Sequence, residues 1–139
     1  MTLVTQKYLD QLTYKIIDCA IEVHKELGPG LLENIYAKCL IHELKLNNFE
    51  IKSQVSIPLD YKGIEMNFDL RLDILVEDLI VVELKSVEIM HPVFEAQLLT
   101  YMKLLQKPKG ILINFNCKNV FYEGQKTFVN EYYAQLPIE

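Results

Sequence analysis

The chain reads as a mixed α/β fold in the order α-α-β-β-β-α-β. Three observations predict it. Apolar residues recur at three-to-four spacing over the first third of the sequence, the period shortens toward two between residues 49 and 89, and a proline-initiated helical stretch then leads into an apolar run at 111–115. Strands joined by turns, then a helix and a further strand, mix antiparallel and parallel neighbours in one sheet flanked by helices.

Each element has its own signal. Residues 5–27 carry Leu9, Leu12, Ile16, Ile17, Ala20, Ile21, Val23 and Leu27 at helical spacing, and the Leu-Gly-Pro-Gly at 27–30 stops that helix. A second helical pattern runs from Leu31 to about Leu46 through Leu32, Ile35, Tyr36, Cys39, Leu40 and Leu44, closed by Asn47 and Asn48. Residues 49–61 are strand-like, Lys62 and Gly63 turn the chain, and 64–76 read as a long second strand. Glu77 and Asp78 mark the next turn, and 79–89 the third strand. Pro92 begins a helix through Phe94, Leu98, Tyr101, Met102 and Leu105, which ends at 107–110. Residues 111–115 suit a buried strand. The remainder predicts a small edge hairpin and a terminal turn of helix.

At 139 residues the chain is one domain's worth, so a single domain over 1–139 is expected. Its apolar runs are far shorter than the ~20 residues that cross a bilayer, and the N-terminal stretch lacks a signal peptide's apolar centre, so no membrane association and a cytoplasmic location are expected. Cys19, Cys39 and Cys117 are odd in number, scattered and without a CxxC pair, which argues against a disulfide framework or a zinc knuckle. The net charge is −5, and Arg71 is the single arginine beside thirteen lysines. That balance excludes a broad electrostatic grip on nucleic acid, leaving contacts that are local, metal-assisted or shared in an oligomer.

Charge inside the strand-forming stretch 71–87 raises the functional question. Alternation puts Arg71, Asp73 and Leu75 on one face, Leu72, Ile74 and Val76 on the other, and Val81, Glu83 and Lys85 together. Asp73 and Glu83 converge if Val76 faces Ile80 across a three-residue loop or an equivalent bulge; a two-residue turn at Glu77 and Asp78 separates them. Convergent carboxylates repel unless a cation holds them, and an oxygen-only ligand set suits Mg²⁺ or Mn²⁺ better than zinc. Lys85, on the face of Glu83, could then orient water or stabilise charge on a phosphate. The plainer alternative is a row of solvent-facing charges on a half-exposed hairpin.

Asp73, the Glu-Leu-Lys at 83–85, and Gln97 with Tyr101 together resemble the PD-(D/E)XK nuclease superfamily, in the branch that carries a Q-x3-Y helix after the lysine. Upstream, Gly30, Glu33 and Tyr36 in GLLENIY are similar to the small bacterial and archaeal family named for its GxxExxY motif. The resemblance implies a restriction-endonuclease-like αβββαβ core, here with an extra N-terminal helix. It also implies hydrolysis of DNA, with RNA the lesser expectation, by a water activated at bound Mg²⁺ or Mn²⁺. By the same resemblance Asp73, Glu83 and Glu33 are metal ligands, Lys85 is the catalytic lysine, and Gln97 and Tyr101 line the site. Glu33 and Tyr36 lie three apart and Gln97 and Tyr101 four apart, so each pair shares a helical face; equally, the tyrosines read as core aromatics with a wet hydroxyl.

Leu72 stands where the superfamily has proline before the aspartate. Three scattered cysteines cannot hold the iron–sulfur cluster found in some relatives, so none is expected. His24 reads as a helix-end residue that satisfies carbonyls, and His91 as part of the loop before the third helix. A competing class is a catalytically silent nuclease-fold module that binds a protein or nucleic-acid partner in a complex, and a third is a fold with no site. A sheet edge near 118–124 offers a route to a homodimer.

Overall fold

A computed structural model describes residues 3–139. Helix α1 (Gln6–Leu27) starts where Thr5 Oγ1 accepts the Tyr8 N–H at 3.0 Å and ends at Gly28, whose φ of +71° suits glycine. It buries Leu9, Leu12, Ile16, Ala20 and Val23 along one stripe. Helix α2 (Glu33–Leu46) buries Tyr36, Leu40 and Leu44 beside it.

Strands β1 (Ile51–Ser56), β4 (Arg71–Val76), β5 (Ile80–Lys85), β6 (Lys109–Asn114) and β7 (Gln125–Val129) form one sheet in the spatial order β1-β4-β5-β6-β7. The β5–β6 pair is parallel and crosses over through helix α3 (Pro92–Leu105); the other pairs are antiparallel. Alternation along β5 and β6 sends Ile80, Val82, Leu84, Ile111 and Ile113 to the α1–α2 side and Val81 and Leu112 to the α3 side, where Leu98, Tyr101 and Met102 cover them. Helices on both faces of a mixed sheet are the architecture expected from the sequence. Among the described residues no helix is long and apolar enough to cross a membrane.

Several expectations need correction. The long strands 49–61 and 64–76 each break, and their inner halves, β2 (Leu59–Tyr61) and β3 (Ile64–Met66), pair only with each other as a separate ribbon. Pro58, which has no N–H to give a ladder, sits at the first break. The ribbon's base is closed by the Ile57 N–H on the Leu70 carbonyl at 2.9 Å. The third strand ends at Lys85 rather than Ile89. Beyond β6 the expected edge hairpin is instead a π-helical turn (Val120–Gly124) leading into β7, while the terminal helical turn is present as α4 (Glu131–Ala134).

Alternation also fails within β4. Leu72 packs with Leu75 and Val81 on the α3 side, whereas Ile74 and Val76 face α1 and α2. The pairing with β1 runs Ser53–Ile74 and Val55–Leu72 but skips Gln54 opposite Asp73, and Gln54 has a φ of +51°. The strand therefore twists at Asp73, so its two ends present different faces.

Gly124 makes the tightest approach in the π-helical turn. A Cβ there would lie 2.7 Å from the Asn114 carbonyl oxygen and 2.7 Å from Cys117 Sγ. Because one of these atoms is strand backbone, Gly124→Ala is expected to cost about 1–3 kcal/mol. Urea unfolding should show a lower midpoint with an unchanged slope; a wild-type midpoint would mean that the turn moves freely against β6.

Candidate active site at the splayed strands

The β4–β5 hairpin turns through a three-residue loop with Val76 opposite Ile80, Leu75 opposite Val81 and Ile74 opposite Val82. Glu77 and Asp78 both take left-handed backbone, with φ of +54° and +56°, and the Leu79 N–H closes on the Val76 carbonyl at 3.0 Å. Of the two registers open from sequence, this is the one that sets Asp73 opposite Glu83.

At that level the ladder gives way to side chains. The Asp73 N–H donates to Glu83 Oε1 at 2.9 Å, and the Leu84 N–H donates to Asp73 Oδ2 at 2.8 Å. Each carboxylate thus takes a backbone N–H from the other strand, which fixes the pair face to face and lets the strands splay. One oxygen of each, Asp73 Oδ1 and Glu83 Oε2, is not used by backbone.

The electrostatic consequence falls on Glu83, which is 6% exposed. Burial first, then the Asp73 charge, pushes its carboxyl up to about 8, against smaller opposing effects of the hydrogen bond from the Asp73 N–H and then of the Lys85 charge. Tyr101, buried on α3 over the same spot, has its phenol pushed up by burial and then by the Glu83 and Asp73 charges. Lys85 extends on the α3 side with its Nζ 4.3 Å from the centroid of the Phe94 ring, a cation–π contact that holds it without neutralising it.

On the α2 side of the sheet, Asp73 borders a separate opening. A cleft of about 680 Å³ runs between Glu33 and Lys38 on α2, Ser53 and Gln54 on β1, and Asp73. The loop that starts α2 explains the Gly-x-x-Glu-x-x-Tyr spacing. Gly30 adopts a φ of +102°, Glu33 is the first residue of the helix, and Tyr36, one turn later, sends its hydroxyl back to the loop. That hydroxyl donates to the Gly28 carbonyl and accepts the Leu31 N–H at 3.2 Å, while its ring stacks on Phe115 with centroids 4.4 Å apart. Tyr36 is therefore a positioning residue of the loop.

The structure thus sets Asp73 against Glu83, with Lys85 and Tyr101 beside Glu83 on the α3 side, while Glu33 shares with Asp73 a cleft on the α2 side that Glu83, Lys85 and Tyr101 do not line. Among the described residues no three Asp, Glu, His or Cys side chains gather as one metal-binding group. Gln97 lies one turn before Tyr101 on α3 and is exposed. His24 Nε2 bonds the Cys117 carbonyl at 2.9 Å, and His91 caps α3, its Nδ1 accepting the Val93 N–H at 3.1 Å.

Two supporting residues escaped sequence reasoning. Ser86 Oγ donates to the Leu31 carbonyl, tying the segment after Lys85 to the α2 loop. Asn114, 7% exposed, accepts the Val87 N–H at 3.1 Å and donates to the Val87 carbonyl at 3.0 Å. A polar residue inside the apolar run 111–115 was the available signal for Asn114; Ser86 gave none.

With this geometry in place, comparison with protein families finds that the model of the PD-(D/E)XK nuclease superfamily matches residues 10–127. The chain belongs to the PD-(D/E)XK nuclease superfamily. No curated protein matches, and no solved structure does. The superfamily match spans α1 through the middle of β7 and so includes the splayed strands, the cleft and α3. PD-(D/E)XK nucleases typically use divalent metals such as Mg²⁺ or Mn²⁺.

The residues here fit such an ion. Two carboxylates, each with an oxygen free of the backbone and one of them buried against the other's charge, form an oxygen-only donor set whose repulsion a cation relieves. Mg²⁺ is commonly held by one or two carboxylates with waters completing its shell.

The raised Glu83 carboxyl sets a pH dependence in chelator. A folded-state value above the unfolded one gives stability that is full below the ordinary carboxylate range and lost as pH rises through about 8. Glu83→Gln keeps a carbonyl oxygen for the Asp73 N–H without the charge. Scanning calorimetry with EDTA should show the variant melting about 2–6 °C above wild type at pH 9 and level with it at pH 5; equal curves at both values would mean the pair carries no repulsion. Separately, Tyr36→Phe strands the Gly28 carbonyl and the Leu31 N–H and is expected to cost about 1–3 kcal/mol in thermal melting. An unchanged melt would mean that the loop is held by other contacts.

Proposed function

We propose that the protein is a Mg²⁺- or Mn²⁺-dependent nuclease that hydrolyses DNA phosphodiester bonds. The observation that carries this reading is the Asp73–Glu83 pair, locked by reciprocal backbone hydrogen bonds beside an unneutralised lysine. A fold with no site would gain by replacing either carboxylate with an apolar residue.

On this reading Asp73 and Glu83 would hold the cation, with Glu33 the further carboxylate nearest Asp73 across the α2 cleft. A divalent ion bound there supplies charge neutralisation at the phosphate and lowers the pKa of a bound water. Lys85 is the donor to a non-bridging phosphate oxygen as charge builds on it. Tyr101 and Gln97 border the strand's path along α3. Water's oxygen bonds to phosphorus in line with the departing sugar oxygen and releases a proton to solvent, the P–O bond to that sugar breaks, and the sugar oxygen takes a proton from solvent. We also assign the Gly30, Glu33 and Tyr36 segment to the GxxExxY branch, on the motif spacing and the Tyr36 hydroxyl that ties the loop before α2.

The net charge of −5 favours a second reading, a silent module that borrows its nucleic-acid grip from a partner in a complex. One experiment separates the two. Purified protein is given labelled single-stranded, duplex and branched DNA with Mg²⁺ or Mn²⁺, beside Asp73→Ala and Lys85→Ala. Cleavage that falls about 10²–10³-fold or more in both variants is the expected result. At 100 times its Kd, Mg²⁺ should add about 2.7 kcal/mol of stability to wild type and nothing to Asp73→Asn. Metal stabilisation without cleavage of any substrate would select the module.

A further inference from the structure

The β2–β3 ribbon stands at the same end of the sheet as the carboxylate pair. It leaves from the end of β1 and returns at Arg71, two residues before Asp73. Its register pairs Leu59 with Met66, Asp60 with Glu65 and Tyr61 with Ile64. Opposed residues share a face and neighbours alternate, so Leu59, Tyr61, Ile64 and Met66 make one apolar face, and Asp60 and Glu65 lie on an acidic one.

The apolar face is uncovered at its tip. Tyr61 is 56% and Ile64 62% exposed, and Phe68, just beyond β3, is 52% exposed. Lys62 Nζ lies 5.4 Å from the centroid of the Tyr61 ring. At the ribbon's base a cavity of about 470 Å³ opens between Pro58, Met66, Asn67 and Phe68, a volume within the range of small-ligand pockets. A two-stranded ribbon has little stability of its own, so bare aromatic surface there calls for an occupant.

We propose that this ribbon is a substrate arm on which unpaired nucleobases stack, so that the strand delivered to Asp73, Glu83 and Lys85 is single-stranded. The proposal rests on the nuclease reading above. Two observations select this occupant. The arm leaves the sheet at the end of β1 and rejoins it at Arg71, two residues before Asp73, so a strand lying along it starts at the sheet end that carries the carboxylates. The charge also fits a single strand: the chain is net acidic, so a grip made through the flat faces of unpaired bases suits it better than one made through phosphates. Stacking on Tyr61 and Phe68 needs no net positive charge, because every base presents a flat π-face.

The test is binding alone, read by fluorescence anisotropy in EDTA at low salt with three labelled probes of one sequence: single-stranded DNA, the matching RNA strand and the DNA duplex. Single strands are expected to bind at least about tenfold more tightly than duplex, with Tyr61→Ala and Phe68→Ala each losing about 10- to 100-fold. Tyr61→Phe should bind as wild type. Tyr61→Leu, which keeps an apolar side chain on the ribbon and the wild-type melting temperature, should bind as poorly as Tyr61→Ala. Preference between the two single strands tells which sugar the site takes.

Duplex bound as tightly as single strand, no strand bound at all, or variants that bind unchanged would overturn the arm. So would a dimer in light scattering that Tyr61→Ala dissolves, since the face would then belong to a second copy. Hydrolysis is not read in this assay. Strand binding without cleavage would therefore keep the arm and remove the nuclease reading, and duplex cleavage without strand preference would do the reverse.

Discussion

The exchange of hydrogen bonds between Asp73 and Glu83 organises everything around it. In an ordinary ladder the N–H groups of Asp73 and Leu84 would find carbonyls; here they find carboxylates from the facing strand. Side chains are longer than carbonyls, so β4 and β5 part where the exchange begins, and Asp73 at the parting also borders the cleft beside α2. The same exchange prevents the two acids from rotating away from each other. Their repulsion is consequently built into the fold instead of being relieved by a change of rotamer, and burial magnifies it at Glu83.

Such an arrangement persists because its surroundings over-determine it. The three-residue loop with two left-handed residues sets the register, and the apolar pairs Ile74–Val82, Leu75–Val81 and Val76–Ile80 hold it on both faces of the sheet. A slip by one residue would turn each of those side chains to the wrong layer. Around the pair, uncharged groups do the positioning: Tyr36 and Ser86 fix the loop that begins α2, Asn114 pins Val87, and Phe94 lies under Lys85. The costly local electrostatics at the pair is thus held in place by neutral neighbours.

The architecture was legible because its signals are periodic. The helices over 5–27 and 92–105 and the strand at 111–115 follow from apolar spacing and a proline start, and the carboxylates stood out as charge in strand sequence. What was not legible depends on single residues acting through distant partners. Pro58 divides one long strand and frees a ribbon, yet in sequence it sits inside an alternating pattern that continues past it. The twist at Asp73 comes from Gln54, a residue on another strand with unremarkable local sequence, and it moves Leu72 to the opposite layer from Ile74. Tyr36 read equally as a core aromatic or a site residue because its ring and its hydroxyl do different things: the ring packs on Phe115 and the hydroxyl ties a loop.

The placement of the cations completes the physical picture. Lys109 is held by Asp10 at 2.9 Å, Lys107 by Asp78 at 3.1 Å, Lys126 by Glu95 at 2.6 Å and Arg71 by Asp69 at 2.8 Å. Each of these pairs cancels its own field at the distance of a nucleic-acid backbone, so net positive potential is not available from them. Lys85 differs because its partner is the face of a ring, which attracts an ammonium while leaving its charge intact. Beside Lys85 the local field is therefore dominated by the carboxylate pair. Two ionised acids repel phosphate, one proton shared between them weakens that repulsion, and a divalent cation reverses it.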